Sequence, residues 1–346
     1  MAFSNTFDTT NPGSAVSNRE DLTDVLTILA PEETPVLSSA SKKRSGATFT
    51  EWTVDALSAP STAGVREGAD VGQTIGNDAD PGFVDKFGGR ARLGNYVQKF
   101  RRAFQVSDLQ DAVESVGPAK IAQAEAKAIR ELKRDVEATL LGTQDRSVED
   151  GVNTPYGLRG LGGWIDDTNT AGGGNADVPD NFKTPASSVY DISTDGAFTE
   201  AALNGLISSI YRETGSTNNL MLVADTGLRR TIADFARVSA GATENIRSVN
   251  YDGNKAEIKL SVELYQSDHG IVSIVNMNPD TAPATIAGGT DFNDGYLINP
   301  EYYGVHELIP MGSTRLPNLG GGDRGFCDCS LTLGVYHPQA HGKITQ

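Results

Sequence analysis

The sequence predicts an α+β chain, with a compact mixed domain joined to one long helix and to an extended two-stranded arm. Three observations carry that prediction. From residue 196 onward, helical stretches and short apolar strands follow one another. Between Gly117 and Gly142, apolar residues recur at three- and four-residue steps. Between residues 46 and 104 the chain is poor in apolar residues, and its charge is sorted along its length.

Taken in order, residues 1–20 are rich in Asn, Thr, Ser and Gly and read as a flexible arm. Leu22, Val25, Leu26 and Leu29 have helical spacing, and Pro31-Glu32-Glu33-Thr34-Pro35 stops that helix. Val36-Leu37 and the basic triplet Lys42-Lys43-Arg44 lead into the extended arm.

The arm opens with a strand-like run, Thr48 to Val54, and closes with another, Asn95 to Val106. From Glu51 to Asp85 there are seven acids and one base, Arg66; from Lys86 to Arg102 there are six bases and no acid. Such a segment buries too little apolar surface to offset its own ordering entropy. A two-stranded ribbon is marginal alone, so it is expected to lie on another subunit. In the return run Tyr96, Phe100 and Phe104 share one face and Lys99 and Arg101 the other. This pattern fits a packed face and an ion-pairing face better than a nucleic-acid groove.

Gly117-Pro118 opens the strongest helix, since Pro suits the first turn, where its missing N–H has no partner. Ala122, Ala126, Ile129, Leu132, Val136 and Leu140 form its apolar stripe, opposite Lys127, Arg130, Glu131, Arg134 and Asp135. Gly142 stands in the C-terminal capping position. At about 1.5 Å per residue the helix is a rod about 35–40 Å long. Residues 143–190 are loop-rich. Beyond them come a helix from Phe198 to Tyr211, a buried strand Leu220 to Ala224 and a helix from Asp225 to Phe235. Strands at Ile258 to Tyr265 and Gly270 to Met277 are joined by Gln266-Ser267-Asp268-His269; a last strand, Cys327 to Val335, is broken by His337-Pro338.

The 346 residues suffice for two or three domains, at 38% apolar and 21% charged. A net charge of −16 argues against bulk electrostatic affinity for nucleic acid. No apolar run approaches the roughly 20 residues that span a bilayer, so no membrane partner is expected. The first 21 residues lack the basic-then-apolar order of a secretory signal. Two cysteines, Cys327 and Cys329, are too few for a disulfide framework and point to synthesis in a reducing cytoplasm.

This order of segments resembles the major capsid proteins of tailed bacteriophages, which have the Hong Kong 97-like capsid fold. The resemblance rests on Pro31-Glu32-Glu33-Thr34-Pro35, Phe49-Thr50-Glu51-Trp52, Glu67-Gly68-Ala69-Asp70, Asn95-Tyr96 and Phe104-Gln105-Val106-Ser107. It continues through Glu131 to Glu137, Leu140-Leu141, Gly160-Leu161, Trp164-Ile165, Leu331-Thr332-Leu333 and Pro338-Gln339-Ala340-His341. It implies an N-terminal arm (1–45), an extended β-hairpin loop (46–104) and a peripheral domain (105–195) with a spine helix over 118–141. An axial domain (196–300) and a return strand of the peripheral domain (301–346) complete it. It further implies self-assembly into pentamers and hexamers of an icosahedral head around double-stranded DNA, in the virion after assembly in the host cytoplasm. Cement, scaffold and portal proteins are the other partners it suggests; catalytic residues, cofactors and metals are not expected. Residues expected at contacts between subunits are Glu51, Trp52, Glu67, Asp70, Lys86, Arg90, Arg92, Lys99, Arg101 and Arg102.

Rival chemistries are weaker. Asp225-Thr226-Gly227 follows an apolar strand as in aspartic proteases, but those need two such carboxylates sharing a proton; Asp225 is expected to cap the following helix instead. Cys327, Cys329, His337 and His341 offer a zinc donor set, yet Cys-x-Cys is tighter than the usual spacing. Gly157-x-x-Gly160-x-Gly162-Gly163 neither follows a clear strand nor opens a helix, which a nucleotide loop requires. A surface-layer or tail-tube protein would also polymerise without needing this order of spine and hairpin.

Overall fold

In the computed structural model the described residues are 32–345 except 58–59, 61, 63, 69, 73, 76–77, 80–88, 114–119, 167–174, 176, 218, 236–248, 253–254, 259–262 and 284–292. The expected helix around Leu22 to Leu29, and Gly117-Pro118, lie outside them. So does Lys86.

Strands with alternating apolar residues build a four-stranded sheet in the order Ser41–Arg44, Tyr303–Leu316, Asp323–Val335, Gln98–Val106. The first pairing is parallel and the other two antiparallel. Phe100, Phe104, Cys327, Cys329, Leu331, Leu333 and Val335 are buried in one core cluster with Ala128, Leu132, Val136 and Leu140 of the spine helix, Lys120–Leu141. Ala122 and Ala126 are exposed, against expectation, while Ile121 and Ala124 turn toward the core. Alanine buries too little surface to set a helix's phase, so Leu132, Val136 and Leu140 decide which face turns inward. Gly142 follows the last helical residue but is not left-handed; instead Gln144 Nε2 donates to the carbonyl of Thr139 at 2.6 Å.

The expected return run Asn95 to Val106 is two strands. Ala91–Tyr96 pairs with Phe49–Val54 to form the arm, and Gln98–Val106 joins Asp323–Val335. The N–H of buried Val97 donates to the carbonyl of Thr48 at 2.8 Å, between the two ladders. Farther out, Thr74–Ile75 pairs with Asp78–Ala79. The partner of the C-terminal strand, Tyr303–Leu316, was not anticipated; its second half is mostly exposed, so apolar alternation fades there.

The six-stranded sheet runs Leu264–Ser267, Gly270–Asn276, Leu220–Ala224, Gly295–Ile298, Gly342–Thr345, Val189–Asp191. Helices Glu200–Thr214 and Thr226–Phe235 bury Leu203, Leu206, Ile207, Ile210, Leu228 and Ile232 in its second core cluster. The first helix starts on Thr199, whose side chain accepts from Ala202 N, and ends on left-handed Gly215 (φ 69°). The expected strand Ile258 to Tyr265 is instead the ends of two: Lys255–Ile258 pairs with Val249–Asp252, and Leu264–Ser267 with Gly270–Asn276. Val189–Asp191 and Gly342–Thr345 also belong to this sheet, although the sequence placed them in the flanking segments. Ile344 is fully buried there, opposite Gly295, but four residues are too few to show a period. On the sheet's other face Val223, Tyr296 and Ile298 join the spine-helix core, and Tyr296 donates its hydroxyl to the carbonyl of Leu141 at 2.9 Å.

Candidate assembly surfaces

The arm's strands end on a dense polar and aromatic root. Asn95 is fully buried and uses all its hydrogen-bonding capacity. Its Nδ2 donates to the carbonyls of Arg159 (3.1 Å) and Leu333 (2.9 Å), and its Oδ1 accepts from the amides of Arg159 (2.8 Å) and Tyr96 (3.0 Å). Trp52 is half-buried between Trp164 (5.5 Å between ring centroids) and Tyr336 (5.8 Å). Arg146 donates to the carbonyl of Gly94 at 2.6 Å and pairs with Asp177 at 3.0 Å. Arg159, fully buried, pairs with Asp145 at 2.7 Å and with Asp177, and stacks over Trp164 at 4.6 Å. Two cations and two anions thus neutralise each other beneath the ribbon, as buried charge requires. The loop between Gly142 and Leu161 supplies three of them, and loop residues carry no periodic signal. Gly160 is required there, since a Cβ would stand 2.1 Å from the Gly142 carbonyl oxygen.

Farther along the arm, three apolar residues among those described stand in the open. Leu57, Val65 and Val71 are 100%, 64% and 56% exposed.

The described residues among those selected from the sequence fall into three settings. Glu51 and Arg92 are exposed on the two arm strands, and Glu67 and Asp70 are exposed farther out. Trp52 sits in the root. Among the described residues the remaining bases have partners within the subunit: Arg90 with Asp55 across the ribbon at 2.9 Å, and Lys99 and Arg101 with Asp328 at 3.3 and 3.7 Å. Arg102 makes two bonds to Asp135 of the spine helix at 2.5 and 2.6 Å. Much of the basic run therefore answers acids of its own chain. Each pair is partly exposed and contributes about 0–1 kcal/mol.

The rival chemistries find little geometric support. Asp225 is buried at the start of the helix Thr226–Phe235, but its Oδ1 accepts only from the adjacent amide of Thr226 at 2.6 Å and its Oδ2 has no hydrogen-bond partner among the described residues, so the expected side-chain cap on the second or third helical amide is not formed. Desolvation raises its pKa. Cys327 and Cys329 are free, buried thiols; burial pushes Cys329 up to about 12. His341 Nδ1 accepts from the amide of Asn299 at 3.2 Å, and burial lowers its pKa to about 3. Among the described residues no group of three His, Cys, Asp or Glu side chains is placed to hold a metal. Nor is any described helix long and apolar enough to cross a membrane.

A family model described as SU10 major capsid protein matches residues 3–346. Curated proteins give no match. Among solved structures, the capsid of cyanophage A-1(L) is 13% identical with a TM-score of 0.61, over 96% of this chain and 98% of that one. The capsid of an empty GTA particle is 12% identical with a TM-score of 0.57, over 99% of each chain. The capsid of cyanophage P-SCSP1u is 12% identical with a TM-score of 0.56, over 95% and 93%. These likenesses show the fold, the Hong Kong 97-like capsid fold.

Proposed function

The chain belongs to the SU10 major capsid protein family, structural proteins of the phage head shell, and from that premise we propose how it builds the shell. Copies close as pentamers and hexamers around double-stranded DNA, with each extended arm laid on a neighbouring subunit. One observation carries this reading: a ribbon rigidly rooted by Asn95, Trp52, Arg146 and Arg159 presents bare Leu57, Val65 and Val71. A ribbon without partners loses more in ordering than it gains in burial.

In this reading residues 1–45 form an N-terminal arm, 46–97 the extended loop and 196–300 most of an axial domain. The peripheral domain takes 105–188 and 301–341 together with the strand Gln98–Val106, while Val189–Asp191 and Gly342–Thr345 go with the axial sheet. Glu51, Glu67, Asp70, Lys86 and Arg92 meet the neighbour, whereas Arg90, Lys99, Arg101 and Arg102 chiefly brace their own subunit. The protein catalyses nothing and takes no cofactor; portal, scaffold and cement proteins join it in the host cytoplasm. Negative-stain microscopy of the purified chain tests this: closed particles or five- and six-membered rings are expected. A stable monomer by light scattering would contradict it.

A further inference from the structure

The four-stranded sheet has one edge that its own chain covers only at the start. On Tyr303–Leu316 the strand Ser41–Arg44 pairs with Gly304 to Glu307, and the amide of Ser45 donates to the carbonyl of Glu307 at 2.9 Å before the chain turns into the arm. This short cover is fixed from behind. In the turn Pro35–Ser39 the amides of Val36 and Leu37 both donate, each at 2.8 Å, to the carboxylate of Glu137, fully buried on the spine helix.

Beyond Glu307 the edge is first blunted and then regular. The register with Asp323–Val335 shifts between Glu307 and Ile309 and again between Ile309 and Gly312, and Pro310 has no N–H to offer. Bulges and proline keep an edge strand from pairing. From Gly312 to Leu316 the register runs unbroken, opposite Asp328 to Arg324. In an antiparallel strand with one partner, alternate residues turn their N–H and C=O away from that partner. Among the described residues no second strand lies along 312–316. All five residues are exposed, where a strand covered on one face is exposed only at alternate positions.

This stretch is suited to pair with itself. Gly312-Ser313-Thr314-Arg315-Leu316 carries one charge, that of Arg315. Ser313 and Arg315 share the face toward the spine helix, where Ser313 Oγ donates to Glu125 and Arg315 reaches the same carboxylate at 3.4 Å. Each copy therefore holds one cation and one anion beside its open edge. A two-fold axis perpendicular to the sheet keeps both spine helices on one face and makes every contact twice. Centred on Thr314, it sets Thr314 opposite itself, Ser313 opposite Arg315 and Gly312 opposite Leu316. Arg315 of each copy then comes beside the Ser313–Glu125 pair of the other, and no like charges stand opposite each other.

We propose that 312–316 is a docking edge for a second copy of this chain, pairing antiparallel with the same stretch about a two-fold axis through Thr314 and joining two four-stranded sheets into one. Its place in the particle rests on the shell reading, since closed rings meet across local two-fold axes; the pairing itself does not.

Thr314→Cys tests it. Residues directly opposite in an antiparallel pair stand about 4.5–5.5 Å apart at Cα, within the span of about 4.4–6.8 Å that a disulfide bridges. The native Cys327 and Cys329 are buried and shielded from the oxidant. The full chain is oxidised mildly with copper phenanthroline, separated by sedimentation into particles and free subunits, and run on a non-reducing gel. Chains from particles should run mostly as covalent dimers that a thiol reductant dissolves, while Val152→Cys, an exposed control, stays mostly monomeric. Particles whose Thr314→Cys chains stay monomeric overturn the proposal and spare the shell reading. Covalent dimers without particles refute the shell reading and spare the pairing, and neither dimers nor particles overturns both. Cross-linking that appears only when Leu57→Cys is added seats a neighbour's arm on this edge and overturns the pairing. Should Thr314→Cys fail to fold, the double variant Gly312→Cys, Leu316→Cys carries the same test, because it sets cysteine opposite cysteine between copies, and a Cβ at Gly312 meets nothing nearer than 4.0 Å.

Discussion

Replacing Asn95 by alanine should loosen the arm at its root. The substitution removes four hydrogen bonds at once, two donated and two accepted, at a fully buried position. The amides of Arg159 and Tyr96 then lose their acceptor, and each buried group left unpaired costs about 1–3 kcal/mol. The two carbonyls lose a donor as well, with a smaller effect because each has a second lone pair. Allowing for partial relaxation, the loss should be about 3–5 kcal/mol, a large fraction of the roughly 5–15 kcal/mol that holds a domain folded. The chain carries its own reporter, since both its tryptophans, Trp52 and Trp164, lie in this root, 5.5 Å apart. Urea unfolding followed by tryptophan fluorescence should shift to markedly lower denaturant, and particle yield should collapse. A loss below about 1 kcal/mol would refute the argument that Asn95 clamps the ribbon.

Three further outcomes follow from the same structure. Charge reversal at Arg101 and Arg102 should lower particle yield, most strongly at low salt. It sets a carboxylate against Asp135 and Asp328 in pairs worth about 0–1 kcal/mol each, screened over about 8 Å at physiological ionic strength; equal sedimentation yields for both chains across the salt range would refute it. Asp225→Ala should cost less than the roughly 0.5–2 kcal/mol of a full helix cap, since its side chain accepts only from the adjacent Thr226 amide and leaves one buried oxygen unpaired, with assembly intact; pepstatin-sensitive proteolysis that vanishes in this variant would establish the protease reading. Cys327 and Cys329, buried with their pKa values raised by desolvation, should resist a thiol reagent at about pH 8 in the folded chain and react fully in denaturant. Rapid labelling of the folded chain would contradict their placement.

Where a repeating pattern is buried on one side, the sequence disclosed it. The spine helix follows from Leu132, Val136 and Leu140, and the return strand from Leu331, Leu333 and Val335. The alternation of Phe100 and Phe104 with Lys99 and Arg101 predicted a packed and an ion-pairing face, and the sheet has both. What stayed hidden depends on contacts between distant residues. Val97 did not stand out as the point where the chain leaves the ribbon for the sheet, because Tyr96, Phe100 and Phe104 read as one alternation, whereas burial passes there from Leu93 and Asn95 to Phe100 and Phe104. Asn95, Arg146 and Arg159 meet only through tertiary packing. Glu137 did leave a trace: it lies on the ridge with Leu141, an acid where the buried face predicts an apolar residue. Gly342–Thr345 and Val189–Asp191 were invisible because such short strands are selected by the sheet they join.

A cryo-electron microscopy map of particles formed by the purified chain tests the central claim most directly. The account predicts closed shells of five- and six-membered rings, in which each arm crosses a subunit boundary and Leu57, Val65 and Val71 are buried against the neighbour. Shells in which those residues stay open to solvent, with the arm folded back on its own subunit, would contradict it.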